Sequence, residues 1–243
     1  MSALQQPGLS YKEIADAIIS FLEISLHSIL YLRSVYPAST FTRRRAHSVP
    51  VYQSRHPQVR SYITNVISSL APEVHNGKLR RMTVVFKGVE DGLPRERLIF
   101  DLGYLGELDE LKNGRGIDIG LIGSPNADEL GLMLRGFLIK LNALDGQLLE
   151  CKGDTTFAVI IETNDSLEPS SNNNEDVTVP PWIPALANDT LHPPASQDLD
   201  ACPEKHEPLL NVKAVETGVI DIRLMVQECI AKTGVERLNP PVE

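Results

Sequence analysis

The segment Leu9–Pro37, LSYKEIADAIISFLEISLHSILYLRSVYP, is long and apolar enough to be either a membrane span or the central helix of a packed domain. Ser10 and Glu13 form a capping box, in which hydroxyl and carboxylate each satisfy an end amide. Leu9 and Ile14 occupy the matching staple positions. Ile14, Ile18, Phe21, Leu22, Ile29 and Leu32 make an apolar stripe, widened by Ile19, Ile24, Leu26 and Leu30. Asp16, Glu23 and His27 interrupt the segment, and a membrane span tolerates such groups poorly. The pattern predicts a helix running to about Val35, before Tyr36-Pro37, roughly 39 Å long and buried on most sides.

Working outward, the chain has 243 residues, 42% hydrophobic and 23% charged, which fits one large domain better than two small ones. Its net charge of −9 disfavours extended contact with phosphates, so broad nucleic-acid binding is not expected. Cys151, Cys202 and Cys229 are odd in number and far apart, which suits a reducing compartment rather than a disulfide framework. MSALQQPGLS has no basic start followed by an apolar run, so no secretory leader and no membrane association are expected. Asn188-Asp189-Thr190 matches a glycosylation acceptor only by chance on that reading, and the protein is expected to be nuclear or cytosolic.

A second helix is predicted from Pro57 to Pro72, with Val59, Ile63, Val66, Ile67 and Leu70 on one face and Tyr62 at its rim. Met82–Lys87 and Arg97–Leu102 read as a hairpin with a long turn, and residues 103–123 as a loop. A third helix opens at SPNADE, with Ser124 as cap, Pro125 at the first position and Asp128 and Glu129 toward the dipole. Leu130, Leu134, Phe137, Leu138, Leu141 and Leu144 give its stripe. Thr155–Ile161 is β-branched and reads as a strand. From Glu162 to Glu207 the chain turns polar and proline-rich, longer than any ordinary connection. Then Leu210, Val212 and Ala214, and Ile220, Ile222, Leu224 and Val226, alternate as a terminal hairpin with one buried face. The sum is an α/β (α+β) domain: three long helices on a mainly antiparallel sheet, with the last hairpin separated by a long strap.

Catalytic signals are missing. His27, His47, His56, His75, His192 and His206 are dispersed without metal-ligand spacing, no CxxC or GxSxG occurs, and NGRGIDIG lacks the Gly-Lys-Ser/Thr of a phosphate loop. No enzyme, cofactor or metal is expected. Arg43-Arg44-Arg45 reads as a solvated loop, with an import signal, a contact to an acidic partner or weak DNA contact as the sharper alternatives. Trp182, the one tryptophan, sits in VTVPPWIPALANDT as either a loop plug or a binding anchor.

FLEISLHSILYLRSVYP, VPVYQSRHPQVRSYI, LRGFLIKL, TFAVIIET and the Pro181-Trp182-Ile183 triplet together resemble the HORMA-domain family, in this order, from about Leu9 to Cys229. The likeness is strongest toward the branch that serves as non-catalytic subunit of translesion DNA polymerase zeta. It implies a HORMA fold over residues 9–230, with a core over 9–162, a safety belt over 163–230 and flexible tails at 1–8 and 231–243. In the family the belt crosses a partner peptide laid along the sheet and re-docks on the far side.

The resemblance implies that Tyr62, Trp182 and Ile183 bind a proline-containing peptide of the polymerase's catalytic subunit. It implies that Arg135 serves HORMA dimer formation. Leu209, Arg223 and Met225 fall on a surface for the C-terminal domain of a scaffold translesion polymerase, although Arg223 and Met225 replace an amide and an aromatic of animal relatives. An AAA+ remodelling ATPase is a further implied partner. A spindle-checkpoint or meiotic signalling protein of the same fold is the competing expectation.

Overall fold

The computed structural model describes residues 8–104, 121, 123–151, 153–164, 182–186, 189–190, 209–229 and 232. Most of the expected 103–123 loop, most of the strap and nearly all of both tails lie outside the described residues. The opening helix α1 spans Tyr11–Leu32, and its capping box is formed as read. It stops short of Val35 because Ser34 turns into the left-handed region at φ 52°. By length and composition α1 could cross a membrane. Here Ile14, Ile18, Phe21, Leu22, Leu26 and Leu30 are fully buried by protein instead.

Two strands that composition did not announce follow α1. Phe41–Ala46 (β1) and Val49–Ser54 (β2) pair antiparallel through a tight turn in which His47 and Ser48 have φ of 46° and 62°. Arg43–Arg45 therefore lie on a strand, not in a loop. Val49 and Val51 bury β2 against the core. Helix α2, Pro57–His75, begins at its proline but runs past Pro72, which sits inside its last turn. A proline that late removes one hydrogen bond near an end that frays anyway. Helix α3, Ala127–Leu144, is capped by Asn126 in a box with Glu129. Ser124 instead donates to the carbonyls of Leu9 and Leu121, so the expected cap was two residues early.

Leu79–Gly88 (β3), Pro94–Tyr104 (β4), Thr155–Thr163 (β5), Leu209–Val215 (β6) and Ile220–Glu228 (β7) form one antiparallel sheet in the order β5-β3-β4-β7-β6. The pleat sorts its residues. Met82, Val84 and Phe86, Leu98, Phe100 and Leu102, and Ile220, Ile222, Leu224 and Val226 share one core with the buried faces of the three helices. Within that core Phe21 of α1 meets Phe137 of α3 edge-on at 4.8 Å. The opposite face carries rows set by register: Arg81–Asp101–Arg223, Thr83–Ile99–Met225 and Val85–Arg97–Gln227.

One alternation differs from expectation. A bulge between Asn211 and Lys213 shifts the phase of β6. Leu210 and Ala214 are exposed, and Val215, with half-buried Val212, packs on the core instead. The apolar alternation of β7 is as read.

His27 is buried between α1 and β2, where its Nδ1 accepts from the Ser54 N–H. Burial, helped by nearby Arg60, lowers its pKa to about 4. The unfolded chain binds this proton at about pH 6.5, so the folded state is disfavoured as pH falls below 6.5 and the loss is complete near pH 4. The stability lost over that window is on the order of 3 kcal/mol. Urea midpoints at pH 7 and pH 5 should differ clearly in the native chain. His27→Asn, which keeps an acceptor for Ser54, should shrink that difference.

Candidate functional site

β5 and β6 are consecutive strands of the chain, yet they form opposite edges of the sheet. The chain leaves β5 beside Leu79, where Asn164 N donates to Lys78 O and its Nδ2 to Gly77 O. By Asp189 it has reached Lys87, the other end of β3, about 26 Å away at 3.3 Å per residue. The Lys87 ammonium meets the Asp189 carboxylate at 2.9 Å. Lys87 alternates with Phe86, which faces the helices, so the strap crosses the helix-free face at this point.

Arg97 fixes that crossing. Its side chain is buried on the same face, where Nε donates to Asp189 O at 3.4 Å and Nη1 donates to Gln227 Oε1 at 2.8 Å and to Cys229 Sγ at 3.0 Å. One core side chain thus holds both the strap and the last strand. The sequence shows Arg97 only as a charge in the strand RLIFDL, and nothing local pairs it with residues 92 and 130 positions away.

On the helix side a second polar group closes the hairpin. Glu96 and Glu228 lie opposite each other in the β4–β7 register. Lys232 reaches both, at 2.5 and 2.6 Å, and Arg33 at the end of α1 meets Glu96 at 3.0 Å. The side chains of Lys232 and Glu96 are wholly buried. Burial opposes the charge of Arg33, but Glu96, Cys151 and Asp145 outweigh it and hold the guanidinium above its ordinary range. Cys151 lies beside this group, and burial first, then Glu96, push its thiol up. Buried pairs of this kind add little net stability, but removing one member strands a buried charge.

Among the described residues β5 pairs only with β3, so its outer edge is open to strand addition. An aromatic group flanks that edge. Phe157 of β5 receives Tyr62 edge-on at 5.4 Å and Tyr36 at 6.4 Å. Tyr62 is 41% exposed. Burial of its hydroxyl end raises its phenol above the ordinary range, against a hydrogen bond from the Val159 backbone and with a further push from Tyr36. Trp182 is half-buried and packs on the core, while Ile183 is 82% exposed. Tyr36 and Phe157, which sequence reasoning did not single out, complete the aromatic set.

The other sequence-derived residues fall on two further surfaces. Leu209, Arg223 and Met225 lie on the helix-free side of the terminal hairpin by register, with Leu209 and Arg223 exposed and Met225 partly so. Arg135 is exposed on α3, between exposed Leu132 and Ile139 at helical spacing. Among the described residues no cluster of three His, Cys, Asp or Glu side chains suits a metal ion.

A family model described as HORMA domain matches residues 15–117. The Rattus norvegicus mitotic spindle assembly checkpoint protein MAD2B is 28% identical, over 94% of this chain and 97% of its own length. The Arabidopsis thaliana DNA polymerase zeta processivity subunit is 32% identical over 59% of this chain and 62% of its own length. In three dimensions the chain is similar to C. elegans HTP-2 bound to a HIM-3 closure motif, with a TM-score of 0.64 at 7% identity over 91% of this chain and 92% of that one. At that identity the likeness concerns the fold alone.

The Arg97 joint makes a specific demand. Arg97→Met removes the donors of Asp189 O, Gln227 and Cys229 together, at a cost of roughly 2–4 kcal/mol. Limited proteolysis should cut the strap of this variant at least tenfold faster than the native one, at a temperature where the core strands stay protected.

Proposed function

A HORMA-domain model matches residues 15–117, and we propose that the chain is a HORMA-domain protein acting as a non-catalytic adaptor that clamps an extended peptide along β5. The carrying observation is the path of the chain: out from one sheet edge, across the helix-free face at Asp189, and back onto the opposite edge as a docked hairpin. A peptide added to β5 gains backbone hydrogen bonds from the strand and side-chain contacts from Tyr62, Tyr36 and Phe157. Trp182 and Ile183, on the strap, supply the covering contacts. A peptide under a closed strap leaves only when the strap does, so closure acts on the dissociation rate.

In this reading the peptide is the proline-containing segment of the catalytic subunit of translesion DNA polymerase zeta. The names of two relatives, a polymerase zeta processivity subunit and a spindle checkpoint protein, support that choice and its competitor respectively. The hairpin surface with Leu209, Arg223 and Met225 would receive the C-terminal domain of a scaffold translesion polymerase, and Arg135 would serve pairing with a second HORMA domain. An AAA+ remodelling ATPase would reopen the strap. The place of action would be the nucleus, and also the cytoplasm. The competing reading keeps the clamp and changes the cargo: a checkpoint or meiotic signalling protein holding other closure motifs. The fold shared with a closure-motif complex favours the clamp without choosing the cargo.

Peptide retention tests the reading. Trp182→Ala and Tyr62→Ala should each shorten the half-life of the bound polymerase-derived peptide tenfold or more, with melting temperature nearly unchanged. An unchanged half-life in both would leave the aromatics as packing and remove the proposed groove. Failure of the native chain to bind this peptide, with binding of a checkpoint or meiotic closure motif, would select the competing cargo.

A further inference from the structure

Arg43, Arg44 and Arg45 are consecutive residues of β1, and all three are exposed. On a strand laid against a core, exposure alternates with the pleat. Three exposed residues in succession mean that the middle of β1 stands in solvent on both faces. The strand is nonetheless firmly held: it pairs with β2 over its whole length, β2 buries Val49 and Val51, and Asn142 of α3 donates to Pro50 O at 3.0 Å. Its other edge has no neighbouring strand among the described residues.

The charge here runs against the molecule. The chain carries 32 acidic and 23 basic residues, yet among the described residues none of these three guanidiniums makes an ion pair. Together with Pro50 they border an open cleft of about 580 Å³. Three unneutralised cations on a preformed, unpaired strand edge offer two kinds of contact at once: backbone donors and acceptors along the edge, and planar forks that match carboxylates.

We propose that this edge binds an acidic, extended peptide segment, which adds to β1 as a third strand with carboxylates opposite the arginines. Side chains on one face of either strand repeat every 6.6–6.8 Å, roughly, so alternate carboxylates fall in step with Arg43 and Arg45. A nucleic acid fits less well. Its phosphates continue beyond the patch onto a surface whose net charge is −9, whereas a short acidic segment ends where the arginines end. The site lies on the β1–β2 hairpin and not on β5, so it stands whether or not the peptide clamp is correct.

Fluorescence anisotropy with the full chain tests this at low and moderate salt. The probes are a labelled nine-residue peptide with Glu at alternate positions, the same peptide with Lys for Glu, an analogue of the acidic peptide N-methylated at alternate amides, and a single-stranded oligonucleotide of charge equal to that of the acidic peptide. The acidic peptide should bind. The Lys peptide should not, N-methylation of alternate amides should weaken binding at least tenfold, and the oligonucleotide should bind at least tenfold more weakly. Arg43→Gln/Arg44→Gln/Arg45→Gln should abolish acidic-peptide binding while leaving the melting temperature within a degree or two, since all three side chains are exposed. Tighter binding of the oligonucleotide would overturn the proposal in favour of a nucleic-acid contact. So would equal binding of the N-methylated analogue, which would reduce the site to charge alone. No binding of any probe would leave the arginines as guards of a bare strand edge against self-association.

Discussion

The proposed clamp rests on one topological constraint: β5 and β6 are neighbours in sequence and opposite edges in space. Four interstrand steps of about 4.8 Å put them roughly 19 Å apart across the sheet. The connecting chain must therefore pass from one edge to the other, and at Asp189 it lies on the face the helices leave uncovered. Arg97 makes that route definite. A buried guanidinium needs acceptors, and here they come from Asp189 on the strap and from Gln227 and Cys229 at the end of the hairpin. Strap and hairpin are thereby held by the same core side chain.

Two forces that differ in kind hold the helix side of the hairpin. Ile220, Ile222, Leu224 and Val226 supply apolar burial, which is strong and indifferent to small shifts. The Arg33–Glu96–Lys232–Glu228 group supplies little net energy but tolerates only one register, because any slip leaves a charge without its partner. That division suits a latch. The apolar face makes closure favourable, the polar group makes it unique, and the open edge of β5 is left available to a strand from elsewhere.

Much of this was legible in the sequence because it is local. The capping box at Ser10 and Glu13, the wide stripe of α1, the alternation of β7 and the change of composition after Glu162 are all readable within a few residues, and they give the helices, the sheet and the strap. What was not legible depends on contacts distant in sequence or on patterns that mimic something else. Arg43–Arg45 looks like a loop because its side chains do not alternate, and only pairing with β2 makes it a strand. Asn126 and Ser124 are equally good caps by type, and Ser124 is withdrawn by its bonds to Leu9 and Leu121. The bulge in β6 has no residue signature, since neither glycine nor proline marks it. Tyr62 and Trp182 were found by resemblance, whereas Arg97, Asp189, Phe157 and Tyr36 needed coordinates to be seen together.

The central claim is that the strap imprisons a bound strand mechanically. A protease site inserted between residues 164 and 182 gives direct access to it. The chain is loaded with labelled polymerase-derived peptide, excess competitor is added, and release is followed before and after cleavage. If the strap encloses the peptide, cutting it should speed release by a hundredfold or more while the sheet stays folded. Release at the same rate from cut and uncut protein would contradict enclosure and reduce the site to an ordinary open groove.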